Sequence, residues 1–155
     1  MIKQFLLFLS IGAMHVACGN ENAVQSKTGD TPASDEVVKK IRHFAGPLSG
    51  GLKGDSIFFD INAAGTKLEN LTFKGYWRCS GKLEMLRGAG PDGSFTITNN
   101  KVDDHISEPP NGGSTAWRFD LTATINGNKA SGTFRMNING LGCNTGKLSW
   151  TAVAK

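Results

Sequence analysis

The sequence predicts an all-β mature domain: an antiparallel β-sandwich or small barrel of about seven to nine strands with a two-fold internal pseudo-repeat. Three observations carry this. Beyond residue 56, apolar and polar residues alternate in one segment after another, the pattern of strands with one buried face. Turn-forming residues bound each segment, among them Gly90-Pro91-Asp92-Gly93, Asn99-Asn100 and Asn126-Gly127-Asn128. The 20 glycines of the 155-residue chain show no collagen period, so they are read as turn residues.

The chain opens differently. Residues 1–4 carry one lysine, and residues 5–14 are almost wholly apolar. A charged start followed by a short apolar run matches a secretory signal peptide, and falls short of the roughly 20 residues of a spanning helix. Residues 1–17 are read as this leader. Its end, His15-Val16-Ala17-Cys18, resembles a lipobox, in which the cysteine after a small residue is acylated. His15 stands where a leucine-like residue is usual, and ordinary cleavage near Ala17 is the alternative. Cys18 is the candidate lipidation site. The expected location is the cell envelope, held to a membrane through Cys18, or alternatively a soluble periplasmic or extracellular state. Residues 18–36 are mostly polar, too poor in apolar surface to offset their ordering entropy, and read as a flexible tether. The domain is placed at 37–155. Ser34, followed by Asp35 and Glu36, can cap a short helix; the segment can equally lead into a strand around 41–44.

The strands follow in order. Ile57, Phe59, Ile61 and Ala63 share one face, with Phe58, Asp60 and Asn62 on the other. Leu71, Phe73, Gly75, Trp77 and Cys79 oppose Thr72, Lys74, Tyr76 and Arg78. Leu83 and Met85 are placed inward, which puts Leu86 outward. Phe95 and Ile97 come next, then Trp117 to Ile125, Ala130 to Ile138, and Leu148, Trp150 and Ala152. The core is expected on the face of Phe59, Phe73, Trp77, Phe95, Trp117, Phe119, Phe134 and Trp150, each stabilising the fold by about 1.5–3 kcal/mol or more when buried. Asn126-Gly127 between two alternating runs is a hairpin signal. Asp103 to Glu108, before Pro109-Pro110, reads as a charged edge strand.

The halves repeat. Phe59-Asp60-Ile61 matches Phe119-Asp120-Leu121, Thr72-Phe73-Lys74 matches Thr133-Phe134-Arg135, and Cys79 with Gly81-Lys82-Leu83 matches Cys143 with Gly146-Lys147-Leu148. Cys79 and Cys143 thus hold equivalent places near a pseudo-twofold axis. A disulfide between them, permitted by export, would stabilise by roughly 4 kcal/mol in the chain-entropy model; two reduced, buried cysteines are the alternative. The chain has three cysteines, and an acylated Cys18 accounts for the odd one.

Ala130-Ser131-Gly132-Thr133-Phe134 and Cys143-Asn144-Thr145-Gly146-Lys147-Leu148-Ser149-Trp150-Thr151-Ala152 resemble the ends of a family of small exported bacterial β-domains, which close on a Cys-x-x-Gly-x-x-x-Trp-Thr-Ala stretch. The likeness covers roughly 41–155. It implies a β fold and export, and no activity.

Chemistry is harder to place. The net charge of +4 is small and its residues are scattered, which argues against nucleic acid. No nucleophile elbow, zincin or phosphate-loop motif is present, and no cofactor or metal is expected. Asp103, Asp104, His105 and Glu108 form the densest polar cluster, without the spacing of a calcium loop. Phe58 and Tyr76 lie outward and are the candidate ligand contacts, for a carbohydrate or a protein partner, unless the 37–48 segment or a second sheet covers that face. The expected function is a non-enzymatic binding module. A small-ligand carrier is the alternative if the strands enclose a hollow barrel. A hydrolase ranks last and requires a pocket holding His43 or His105 beside two carboxylates.

Overall fold

The computed structural model describes residues 40–49 and 55–155. The expected leader, Cys18, the tether and the helix start at Ser34 lie outside these residues. The strands are β1 (Arg42–Ser49), β2 (Ser56–Ile61), β3 (Lys67–Cys79), β4 (Lys82–Ala89), β5 (Phe95–Thr96), β6 (Lys101–Glu108), β7 (Trp117–Asn126), β8 (Lys129–Ile138), β9 (Cys143–Asn144) and β10 (Leu148–Ala154), with a short 3-10 turn at Asn139–Leu141. The all-β class holds, and the count of ten adds β1, the charged strand β6 and the two-residue β9 to the seven alternating segments.

Sandwich and barrel are decided in favour of a barrel. The strands run β10-β1-β2-β3-β9-β8 and close because β8 also pairs β10. Outside this ring β7 pairs β8, β6 pairs β7, and β4 and β5 pair β3. β6 ends the path, so the charged segment is an edge strand. β1 does not cover the outer face; it is a member of the sheet, between β10 and β2. Gly127 (φ 59°), Asn99 (φ 51°) and Asn100 (φ 59°) adopt the left-handed turn conformations that their positions suggested.

A six-stranded ring is narrow, so its strands must coil tightly. Two inward glycines permit this. A Cβ on Gly132 would overlap the Thr122 carbonyl oxygen and sit 2.9 Å from Trp150 Cζ2. On Gly46 it would overlap the Thr151 carbonyl oxygen. Both are places where a neighbouring backbone passes too close for any side chain.

The interior is filled. Phe44 stacks on Phe59 at 5.0 Å, Phe59 meets Trp150 edge-on at 5.4 Å, and Phe73 meets Phe134 at 5.0 Å. With Ile57, Ile61, Leu68, Leu121 and Met136 they form one buried cluster. The ring is thinnest at β9, where a single register pair, Arg78 with Asn144, joins it to β3. The Cys79–Cys143 disulfide, spanning 64 residues, closes that same seam.

Two core assignments need correction. Trp117 stacks on Trp77 at 5.5 Å and on Phe119 at 6.3 Å, yet it is 36% exposed. It starts β7 opposite Glu108, at the end of the sheet, where its ring caps Trp77. In β4 the faces are reversed. The turn at Ser80-Gly81 sets Cys79 opposite Lys82, which places Met85 opposite Tyr76 and Leu83 opposite Arg78, on the outer face. Leu83 and Met85 are exposed, and Leu86 packs on the core.

Candidate functional site

The outer face of β6, β7, β8 and β10 forms a grid whose rows follow from register, because directly opposed residues share a face. One row holds His105, Asp120 and Arg135. The next holds Asp103, Thr122, Thr133 and Ser149, and then come Lys101, Thr124, Ser131 and Thr151. The last holds Asn126, Lys129 and Val153, and continues through Ala45 of β1 to Phe58 of β2.

Three depressions run along this grid and share residues where they meet. The first, about 380 Å³, is lined by Asp103, His105, Arg118, Asp120, Arg135 and Lys147. The second, about 230 Å³, shares Asp103 and Thr122 with it. The third, about 450 Å³, shares Thr124 and Ser131 with the second and ends at Pro47, Ala152 and Val153. Together they make a furrow along β7 from Arg118 to Asn126, about 26 Å at 3.3 Å per residue. It grades from charged, through hydroxyl-lined, to apolar.

Local bonding stiffens the furrow. Thr122 and Thr133 share a hydroxyl hydrogen bond of 2.9 Å, and the Thr133 amide donates to Thr122 Oγ1 at 2.9 Å. Arg118 Nε donates to Asp120 Oδ1 at 2.8 Å. Arg135 Nε donates to Asn144 Oδ1 at 3.3 Å. The charged end therefore holds His105 with Asp103, Asp104 and Asp120, the grouping a hydrolase would require. It does so on an open face. Asp120 is committed to Arg118, and Asp104 Oδ1 accepts from the His105 amide at 2.7 Å. Among the described residues no group of three or more His, Cys, Asp and Glu side chains is placed to hold a metal ion.

The expected ligand contacts separate. Phe58 is 42% exposed; it lies in the Val153–Ala45 row, opposite Thr72. Tyr76 lies four residues farther along β3, about 13 Å away along the strand, opposite Met85. They share an outer face without forming a pair. His43 lies beside Phe58's row, where its Nδ1 donates to Asp60 Oδ1 at 2.6 Å and Asn70 donates to Asp60 Oδ2 at 2.9 Å. Sequence reasoning missed the furrow. The signal was present as hydroxyls at alternate outward positions (Thr122 and Thr124, Ser131 and Thr133, Ser149 and Thr151), but only register makes them neighbours.

Comparison with family models, with curated proteins and with solved structures found no match to this chain, and so nothing that bears on the resemblance to exported β-domains. Among the described residues no helix is long and apolar enough to cross a membrane. The disulfide suits an oxidising, exported environment.

Proposed function

We propose that this chain is an exported, lipid-anchored, non-enzymatic binding module that holds an extended polar polymer, a saccharide chain, along the furrow of β7, β8 and β10. The observation that carries the reading is the continuity of the furrow: the hydroxyls of Thr122, Thr124 and Ser131 through its middle, with the Asn126 amide and the apolar surface of Pro47 and Val153 at one end and Phe58 next along the Val153–Ala45 row. Such a lining suits a ligand with many hydroxyls and some apolar ring faces. The filled barrel interior speaks against a carrier of small ligands. For the anchor, the disulfide leaves Cys18 as the odd cysteine of three, and the apolar leader supports export.

Retention of the domain on immobilised polysaccharides tests the binding reading. Ser131→Arg fills the point where two depressions meet and abolishes retention; Phe58→Ala weakens it. No retention by the wild type, or full retention by Ser131→Arg, refutes the furrow as the site. Intact mass of protein from its native membrane tests the anchor, since an unmodified Cys18 ends that claim.

A second reading has one observation in its favour: His105 directly opposite Asp120, with Asp103 beside them. Turnover of chromogenic esters or glycosides that disappears in His105→Ala would establish hydrolysis at the charged end. Turnover that survives His105→Ala, or none at all, removes it.

A further inference from the structure

We propose that the outer face of the β3–β4 hairpin docks the domain onto an anionic phospholipid surface. Register places Lys74 opposite Arg87, Tyr76 opposite Met85, and Arg78 opposite Leu83. These six share one face, so cations alternate with a phenol, a thioether and an isobutyl group. Leu83 is 54% exposed and Met85 37%. Among the described residues the ion pairs are His43 with Asp60 and Arg118 with Asp120, so no carboxylate answers the hairpin's cations. Glu84, the one acid of β4, lies opposite Trp77 on the other face.

Lys74 directly opposite Arg87 is a like-charge pair that costs stability. A face that retains this repulsion is complementary to an anionic partner. The interleaved side chains select which anion. A phospholipid headgroup layer accepts the cations at its phosphates, Tyr76 at the interface, and the tips of Leu83 and Met85 among the first methylenes. A nucleic acid would stack on Tyr76 and leave Leu83 and Met85 in water. Among the described residues β4 pairs only with β3, so no described strand lies on its far edge. The hairpin face is distinct from the furrow of β7, β8 and β10, so either function can be lost without the other.

The test is cosedimentation of the secreted chain, carrying Cys18→Ser so that no acyl group contributes, with vesicles of phosphatidylcholine alone or mixed with phosphatidylglycerol. The expected result is binding to the mixed vesicles only, reversed by salt. One cation near a negative membrane surface changes partitioning about fivefold. Lys74→Gln, Arg78→Gln and Arg87→Gln together lower it about a hundredfold on the same constants, and Leu83→Ser with Met85→Ser lowers it further. A control triple, Lys40→Gln, Lys67→Gln and Lys155→Gln, removes the same charge from exposed positions outside both surfaces and keeps binding. Equal loss in the control, equal binding to neutral vesicles, or no binding by the parent chain overturns the proposal. So does duplex DNA binding through the same cations without lipid binding.

Discussion

Replacing Gly132 by alanine tests the closure of the barrel where β7 and β10 crowd β8. Gly132 pairs with Ala123 of β7 on one side and Trp150 of β10 on the other. An added Cβ would overlap the Thr122 carbonyl oxygen and stand 2.9 Å from Trp150 Cζ2. The first obstacle is backbone, held by two strand pairings, so it cannot swing aside as a side-chain tip can. Overpacking of this kind costs about 1–3 kcal/mol, occasionally more. With a backbone atom as the obstacle, the expected loss is about 3 kcal/mol, against a total stability of about 5–15 kcal/mol for a domain. Urea unfolding followed by tryptophan fluorescence reads it as a lower midpoint at unchanged slope. Ser131→Ala, one residue away and exposed, should stay within about 0.5 kcal/mol of the parent. A Gly132→Ala midpoint as high as that of Ser131→Ala would refute the close approach of β7, β8 and β10.

Three further outcomes follow from the packing. Cys79→Ala with Cys143→Ala should lower stability by about 4 kcal/mol, because the bridge closes 64 residues at the seam joined by a single register pair; the parent in reductant should show the double variant's denaturant midpoint, and without reductant a higher one. Leu83→Ser should change stability by under about 0.5 kcal/mol, whereas Leu86→Ser should cost at least about 1 kcal/mol because Leu86 packs on the core; the opposite order would restore the original assignment of faces. Phe119→Ala should cost about 3–5 kcal/mol, while Trp117→Ala should cost far less, chiefly its stacking of about 0.5–1.5 kcal/mol, as thermal or urea unfolding will show.

The turns and most of the core were legible in the chain. Phe59, Phe73, Phe119, Phe134 and Trp150 are buried where a two-residue period put them, because a strand's side-chain direction is a local property. Asn99-Asn100 and Asn126-Gly127 turn where they should, since a positive φ is tolerated by few residues. The failures have two causes: Trp117 starts β7 at the end of the sheet, where alternation still holds but cover runs out, and β4 is turned over. In β4, Leu83 and Met85 alternate with Lys82 and Glu84, but the tight turn at Ser80-Gly81 sets which parity faces Trp77. A shift of one residue turns every side chain over, and no pattern inside eight residues reports it.

The functional surface divides the same way. Phe58 was recognisable as an outward aromatic, and the hydroxyls of the furrow as outward polar groups, from the chain alone. That Phe58 belongs with Ala45 and Val153, that Tyr76 belongs with Met85, and that Thr124, Ser131 and Thr151 form one row were decided by strand order and register. Alternation dictates which side chains of a strand share a face. Which side chains become neighbours depends on hydrogen bonds between segments as much as a hundred residues apart, whose energy is spread over whole ladders and belongs to no single stretch of sequence.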